Sequence, residues 1–329
     1  MINETLVKSD SNRTLYFDDA LEEMKREVNG VLSTSPFIIR KYTKHLSKTT
    51  GKYIRAISLL VCAQNREGLI QENAVKLAAA VEILHLATLV HDDVIDNADI
   101  RRGEVSLQKK YGKRTAVICG DYLMCSALNL AGSISREQDY SEYAELELPD
   151  YMSRICLGEL NQHINNGNLD LSVYQYLKII YGKTAALFEA SFYGGAILSE
   201  KEPSTQKKYA RLGRFVGMIF QLTDDCMDFE TTESVAKKPV QSDYEQNVIT
   251  LPLIYAFRNK NDFKEKAKTT GITREEINDT VRITGGLNYA RTVAKKYYKK
   301  SLTIINELDI NEDKREKLTT ILENAYRTF

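Results

Sequence analysis

Apolar residues recur along this chain with the three-and-four spacing of helices almost from end to end, and strand-like alternation is nearly absent. Segments with that period run over residues 14–30, 36–47, 52–66, 72–92, 114–133, 150–167, 172–199, 204–229, 249–260, 283–308 and 313–327. Pro149 and Pro203 stand where prolines open helices, and Ser172 where a serine caps one. Several of these segments reach about 20 residues without sustained heptads, which suits a large bundle rather than a coiled coil. The expectation is an all-α fold: one domain over 1–329, a helical bundle around a central cavity. Residues 230–248 are polar and broken by Pro239, so they read as a loop.

Composition narrows the class. Of 329 residues, 43% are apolar, enough for a large core. The 45 basic and 45 acidic side chains cancel, so no overall field favours nucleic acid or an anionic membrane. The five cysteines form no C-x-x-C pair and lie in apolar stretches, as reduced core residues of a cytoplasmic protein would. The amino terminus carries no signal-like segment, and no uninterrupted apolar run approaches the ~18 residues of a membrane span. No membrane span is therefore expected.

Two acidic clusters change the picture. Asp92-Asp93-Val94-Ile95-Asp96 and Asp224-Asp225-Cys226-Met227-Asp228 each follow an apolar helical segment and share the form D-D-x-x-D. On a helix the first and last aspartates share a face, while the middle one is turned by about 100°. One such cluster is usually a solvated helix end. Two of them point to a shared cation that neutralises crowded carboxylates, and hard oxygen ligands with phosphates point to magnesium.

Cationic residues accompany the clusters. Arg101 and Arg102 follow the first one, either as a surface salt-bridge group or as forks for two diphosphates. Lys52 and Arg55 are spaced to share a helix face. His85 lies two turns before Asp92 on nearly the same face, whereas His91 points elsewhere. Gly182-Lys183-Thr184 ends like a nucleotide-binding loop, but Leu177 stands where the first glycine should be and no strand precedes it, which rejects that reading. Gln221 lies near the face of Asp224, and Lys238 sits in the polar loop. No Ser/His/Asp constellation, zinc spacing or di-iron pattern is present.

Taken together, the strings GKYIR, HLATLVHDDVIDNADIRRG, GDYL, GELNQ, YGKTAALFEA, FQLTDDCMDF, KKPVQSD and ITLP resemble the trans-polyprenyl (E-isoprenyl) diphosphate synthases, from about Gly51 to Pro252 and more loosely to the end. The resemblance implies a magnesium-dependent prenyltransferase in which Lys52, Arg55, His85 and Arg102 hold isopentenyl diphosphate. Asp92, Asp96, Asp224 and Asp228, with Asp225, would coordinate Mg2+ on the allylic diphosphate, and Asp93 completes the first cluster. Arg101, Lys183 and Lys238 would grip the allylic group, and Thr184 and Gln221 would face the developing cation. The chain departs from the family pattern at Thr50-Gly51-Lys52-Tyr53, where one arginine is missing, at Arg55-Ala56, and at Asn247-Val248, where Val248 replaces a lysine.

Product length is read from the turn above Asp92. Ala87 and Thr88 are small where short-chain members carry an aromatic, so a tunnel is expected to continue past Leu84 and Val81. Each further helical turn of about 5.4 Å admits one more isoprene unit, giving roughly six to eight units, a hexa-, hepta- or octaprenyl length suited to a quinone side chain. A class I terpene cyclase is the second reading, disfavoured by the second D-D-x-x-D. A non-catalytic partner subunit is the third, disfavoured because both clusters are intact. Either a homodimer or the catalytic large subunit of a heterodimer with a small companion fits the pattern.

Overall fold

A computed structural model describes residues 13–47, 51–137, 148–230 and 247–327. The fold is all-α. At its centre is helix α4 (Glu72–Ile95), which buries Ala74, Leu77, Ala78, Ala80, Ile83 and Ala87 and so has no consistently polar side. A helix apolar all round belongs in a core, and its alanines let neighbours approach closely. Around it pack α1 (Phe17–Ser33), α3 (Ile54–Ala63) and α6 (Lys113–Glu137). Beyond α2 (Phe37–Leu46), the short α5 (Leu107–Tyr111) leads into α6.

The second half builds the opposite wall. Helix α7 (Leu148–Ile164) is followed by α8 (Val173–Ile180), whose amino end is closed by a capping box of Ser172 and Gln175. Next come α9 (Ala186–Ile197) and the long α10 (Pro203–Glu230), which starts at the proline that sequence marks as an opener. Glycines bring these helices together: a Cβ on Gly195 would lie 2.3 Å from Leu59 O, and one on Gly213 2.6 Å from Phe188 O. The C-terminal helices α11 (Leu251–Asn259), α12 (Asn261–Thr269), α13 (Arg274–Thr284), α14 (Gly286–Glu307) and α15 (Glu312–Tyr326) complete the bundle.

The structure departs from the sequence reading in several places. The segment 172–199 is not one helix, because a π-helical turn, Tyr181–Ala185, separates α8 from α9. Helices α12 and α13 were not anticipated, although Thr273 and Glu276 form a capping box legible as T-x-x-E. Two minimal antiparallel pairs also appear, Thr14–Leu15 with Ile70–Gln71 and Ile100–Arg101 with Glu104–Val105. The second is a hairpin directly after the first acidic cluster, turned by Arg102 and Gly103, both at positive φ.

No uninterrupted apolar run approaches a membrane span, but length and mean hydropathy over a whole helix set a looser test. By length and composition, Glu72–Ile95 and Lys113–Ile134 both pass that test. The first owes its apolarity to its central place, with 67% of its window buried in protein. The window of the second is only 33% buried and leaves Val117, Ile118 and Leu128 exposed; Leu157, Leu160 and Ile164 of α7 are also exposed.

Candidate active site

The first acidic cluster forms the last turn of α4, with Asp96 as its C-cap. The three carboxylates divide as helical geometry requires. Asp93 turns to the hairpin, where its Oδ1 accepts from Arg101 Nε at 2.7 Å and Nη2 at 2.5 Å. Asp92 and Asp96 instead lie in the field of Lys183 and Glu159. Burial pushes the Asp92 carboxyl up to about 7; Lys183 opposes the rise, while Glu159 and Asp96 add to it. Asp96 is raised chiefly by burial, and so is Asp93, which Arg101 partly offsets.

Facing this helix end is the π-turn. It fits because both flanks lack side chains: a Cβ on Gly158 of α7 would lie 2.3 Å from Lys183 N, and one on Gly217 of α10 would lie 2.6 Å from Ala185 Cα. A π-turn inserts one residue into a helix and is common at functional sites. Here it carries Lys183 and Thr184. Lys183 Nζ pairs with Glu159 Oε2 at 2.8 Å, and Thr184 Oγ1 donates to Gln221 Oε1 at 2.7 Å. Gln221 Nε2 donates in turn to Asp225 Oδ1 at 2.7 Å, and the Tyr176 hydroxyl donates to Asp225 Oδ2. Asp225 is buried, and that burial pushes its carboxyl up to about 7 despite both donors.

Several of these groups line one cavity of about 130 Å³, among them Asp96, Tyr176, Lys183, Thr184, Gln221 and Asp225. Residues from both acidic clusters thus meet across it. Among the described residues no three His, Cys, Asp or Glu side chains close on one ion-sized point. The donors are hard carboxylate oxygens on two walls, which suits a divalent cation whose remaining ligands are water and phosphate oxygens. Asp224 is half-exposed and stands 3.5 Å from Arg327 Nη1, and Asp228 lies on the same helix end.

A second cationic group is centred on the buried Arg55. Arg55 is buried, stacked 4.5 Å over the Phe188 ring, and its Nη1 donates to His85 Nε2 at 3.1 Å. An arginine only donates, so His85 accepts at Nε2 and carries its proton on Nδ1. Burial first, then Arg55, Arg102 and Arg101, hold His85 well below the usual imidazole range, so it is neutral near pH 7. Burial also lowers Arg55 to about 10, and its Nε finds no hydrogen-bond partner. The Arg102 guanidinium lies against Gly51, where a Cβ would stand 2.7 Å from its Nη1. Lys52 is exposed.

Lys238 and most of the 230–248 loop lie outside the described residues, while Val248 lines the cavity. Ala87 is fully buried in the core cluster with Cys119 and Leu123 of α6, Leu84 is buried, and Thr88 is half-buried with its hydroxyl on His85 O. None of the three lines the cavity. Sequence reasoning passed over Tyr176, Arg327 and Glu159. Only Glu159 had a signal, its place in GELNQ; the others depend on contacts distant in sequence.

Acidic helix ends facing each other across a cavity inside an all-helical bundle, with cations beside them, fit an enzyme that binds a diphosphate together with a divalent cation. The family model described as "Polyprenyl synthetase" matches residues 36–283, and the chain belongs to that family. It is a trans-prenyltransferase, which extends all-trans prenyl diphosphates. Heptaprenyl diphosphate synthase component 2 of Bacillus subtilis is 31% identical over 298 residues, 89% of this chain and 84% of that protein. Heptaprenyl diphosphate synthase from Staphylococcus aureus superposes with a TM-score of 0.85 at 29% identity, covering 96% of this chain and 99% of that one. Polyprenyl synthase from Caulobacter crescentus, complexed with calcium and isoprenyl diphosphate, gives 0.83 at 28% identity, covering 94% and 95%.

Proposed function

We propose that this protein joins isopentenyl diphosphate head-to-tail to an allylic prenyl diphosphate, with Mg2+ as the metal, to give an all-trans product of roughly six to eight units. The observation that carries this reading is the meeting of both acidic helix ends across one cavity that also holds Lys183. Asp92, Asp96, Asp224 and Asp228 would hold the metal, which when bound offsets the negative charge growing on the departing diphosphate. Lys183, Arg101 and Lys238 grip that diphosphate. The Thr184 hydroxyl and Gln221 carbonyl oxygen face the allylic carbon. Arg55, the neutral His85, Lys52 and Arg102 hold the isopentenyl diphosphate so that its double bond lies against the allylic carbon. The proton lost afterwards goes to the released diphosphate, which explains why no side-chain base is needed.

We further propose one domain over 1–329 with 230–248 as its loop, acting in the cytoplasm to supply quinone side chains. The exposed apolar faces of α6 and α7 support a partner, either a second copy or a small subunit. The relative named "component 2" favours the small subunit. The test is incubation of the purified protein with farnesyl diphosphate, labelled isopentenyl diphosphate and magnesium, followed by extraction and sizing. A linear product of about six to eight units supports the reading. Cyclic hydrocarbon from farnesyl diphosphate without incorporation of label would overturn it.

The buried carboxylates give a second expectation. Asp92 and Asp225 hold protons up to about 7, against 3.8 for an ordinary aspartate. A folded-state pKa raised in this way adds stability that is complete at low pH and is lost as pH rises through the folded value. Chelator-treated protein should therefore show a declining contribution to Tm between about pH 4 and pH 7. Magnesium should raise Tm most above that window, where both carboxylates are ionised. A magnesium shift equal at pH 5 and pH 8 would contradict this.

A further inference from the structure

Around Tyr181 of the π-turn lies an ionic cluster built on one buried carboxylate; its members do not line the cavity, and the chemistry above does not use it. Glu189 of α9 is only 4% exposed. Its two oxygens accept from Arg214 Nε at 2.9 Å and Nη2 at 2.8 Å, a two-pronged pairing from α10. Arg154 of α7 approaches the same carboxylate, with Nη1 3.6 Å from Oε1. That Nη1 also donates to the Tyr181 hydroxyl at 3.1 Å, while Arg154 Nη2 pairs with Asp150 at 2.7 Å. Arg214 stacks 4.9 Å over the Tyr181 ring. The cluster therefore ties three helices to one aromatic side chain.

Tyr181 is the first residue of the π-turn, and Lys183 and Thr184 follow two and three positions later. A π-turn is an uncommon backbone conformation, so neighbouring contacts must fix the turn against reverting to regular helix. Gly158 and Gly217 limit where its backbone can move, but glycine contacts alone do not set its rotation. A phenol with the Arg214 guanidinium over its ring and Arg154 bonded to its hydroxyl does. Glu189 itself is buried, so leaving its carboxylate half-paired is costly and favours keeping both arginines in place.

We propose that Glu189, with Arg154 and Arg214, is a positioning group that fixes Tyr181 and thereby aims Lys183 at the allylic diphosphate and Thr184 at the allylic carbon. This rests on the proposed role of Lys183. The effect of the cluster is transmitted through Tyr181 to the turn that carries Lys183, and so is expected on the allylic grip.

The test is a double-mutant cycle between Glu189→Gln and Lys183→Ala, read as separate KM values for farnesyl and isopentenyl diphosphates, with Tm recorded for every variant. Glu189→Gln should raise the allylic KM by roughly tenfold, from a charge-assisted pairing lost. The isopentenyl KM should stay within about twofold, and in the Lys183→Ala background the same change should add almost nothing. Equal rises in both KM values, or full additivity with Lys183→Ala, would overturn the proposal. Tyr181→Phe removes only the hydroxyl and provides a second arm should Glu189→Gln unfold. It should raise the allylic KM about threefold, and an unchanged KM would count against the proposal. Should Lys183→Ala alone leave the allylic KM unchanged, the failure lies in the assigned role of Lys183, so the two ideas separate.

Discussion

Asp92→Asn should lower turnover about a thousandfold, and Asp224→Asn comparably, because each removes a charge placed to neutralise the diphosphate as it departs. The change is nearly isosteric, so packing at the end of α4 is preserved. Asp93→Asn is expected to cost much less, about tenfold, since the Asp93 carboxylate is engaged by Arg101 rather than turned to the cavity. Initial rates with farnesyl and labelled isopentenyl diphosphates at saturating magnesium measure all three. Burial already pushes Asp92 up to about 7, so a neutral side chain there should leave the metal-free Tm unchanged or slightly higher above that pH. Loss of turnover with Tm retained separates the chemical role from unfolding. An Asp92→Asn enzyme within a few-fold of the parent would remove the basis for the proposed mechanism.

Ala87→Phe should shorten the product by several units. Ala87 is one turn above Asp92 and is buried in one core cluster with Cys119 and Leu123, so a prenyl tail that runs along α4, as proposed, would have to pass this point. A phenylalanine fills that space. Overpacking will cost roughly 1–3 kcal/mol, so a lower Tm is expected as well. Thr88→Phe is the gentler companion: Thr88 is half-buried and loses only a hydroxyl contact to His85 O, yet it should truncate the product similarly. Chromatographic sizing of the extracted product reads both. Unchanged length in both variants would mean that the tail takes another route, such as the cavity wall formed by Ile179 and Ile180.

Much of the fold was legible because helix formation leaves a periodic trace. Helix α10 was expected over 204–229 and spans Pro203–Glu230. Helix α4 was expected over 72–92 and runs one turn further, through the acidic cluster itself. The C-terminal region was read less well. Helices α12 and α13 are short and highly charged, and α12 buries only Phe263, so the apolar period is faint there. The hairpin after Asp96 has two residues per strand, too few for alternation to register.

The limits are similar at the site. Lys183, Thr184 and Gln221 were legible from local motifs, and the structure joins the last two by a hydrogen bond. Tyr176 was not, because its partner Asp225 lies 49 positions away. Arg327, beside Asp224, is separated from its partner by about a hundred residues and gave no sign either.

By itself the sequence determined an all-helical chain, two carboxylate triplets at helix ends, and the cations that accompany them, since periodicity, capping and charge are local properties of neighbouring residues. Tertiary structure alone decided which carboxylates face the cavity. Asp93 is held by Arg101, Asp225 lines the cavity while accepting from Tyr176 and Gln221, and Asp92 and Asp96 lie in the field of Lys183. It alone decided the π-turn, which depends on Gly158 and Gly217 giving way on either side and on Arg154, Glu189 and Arg214 gripping Tyr181. Those choices are made through space, by burial and by contacts between helices far apart in the chain, where no local pattern records them.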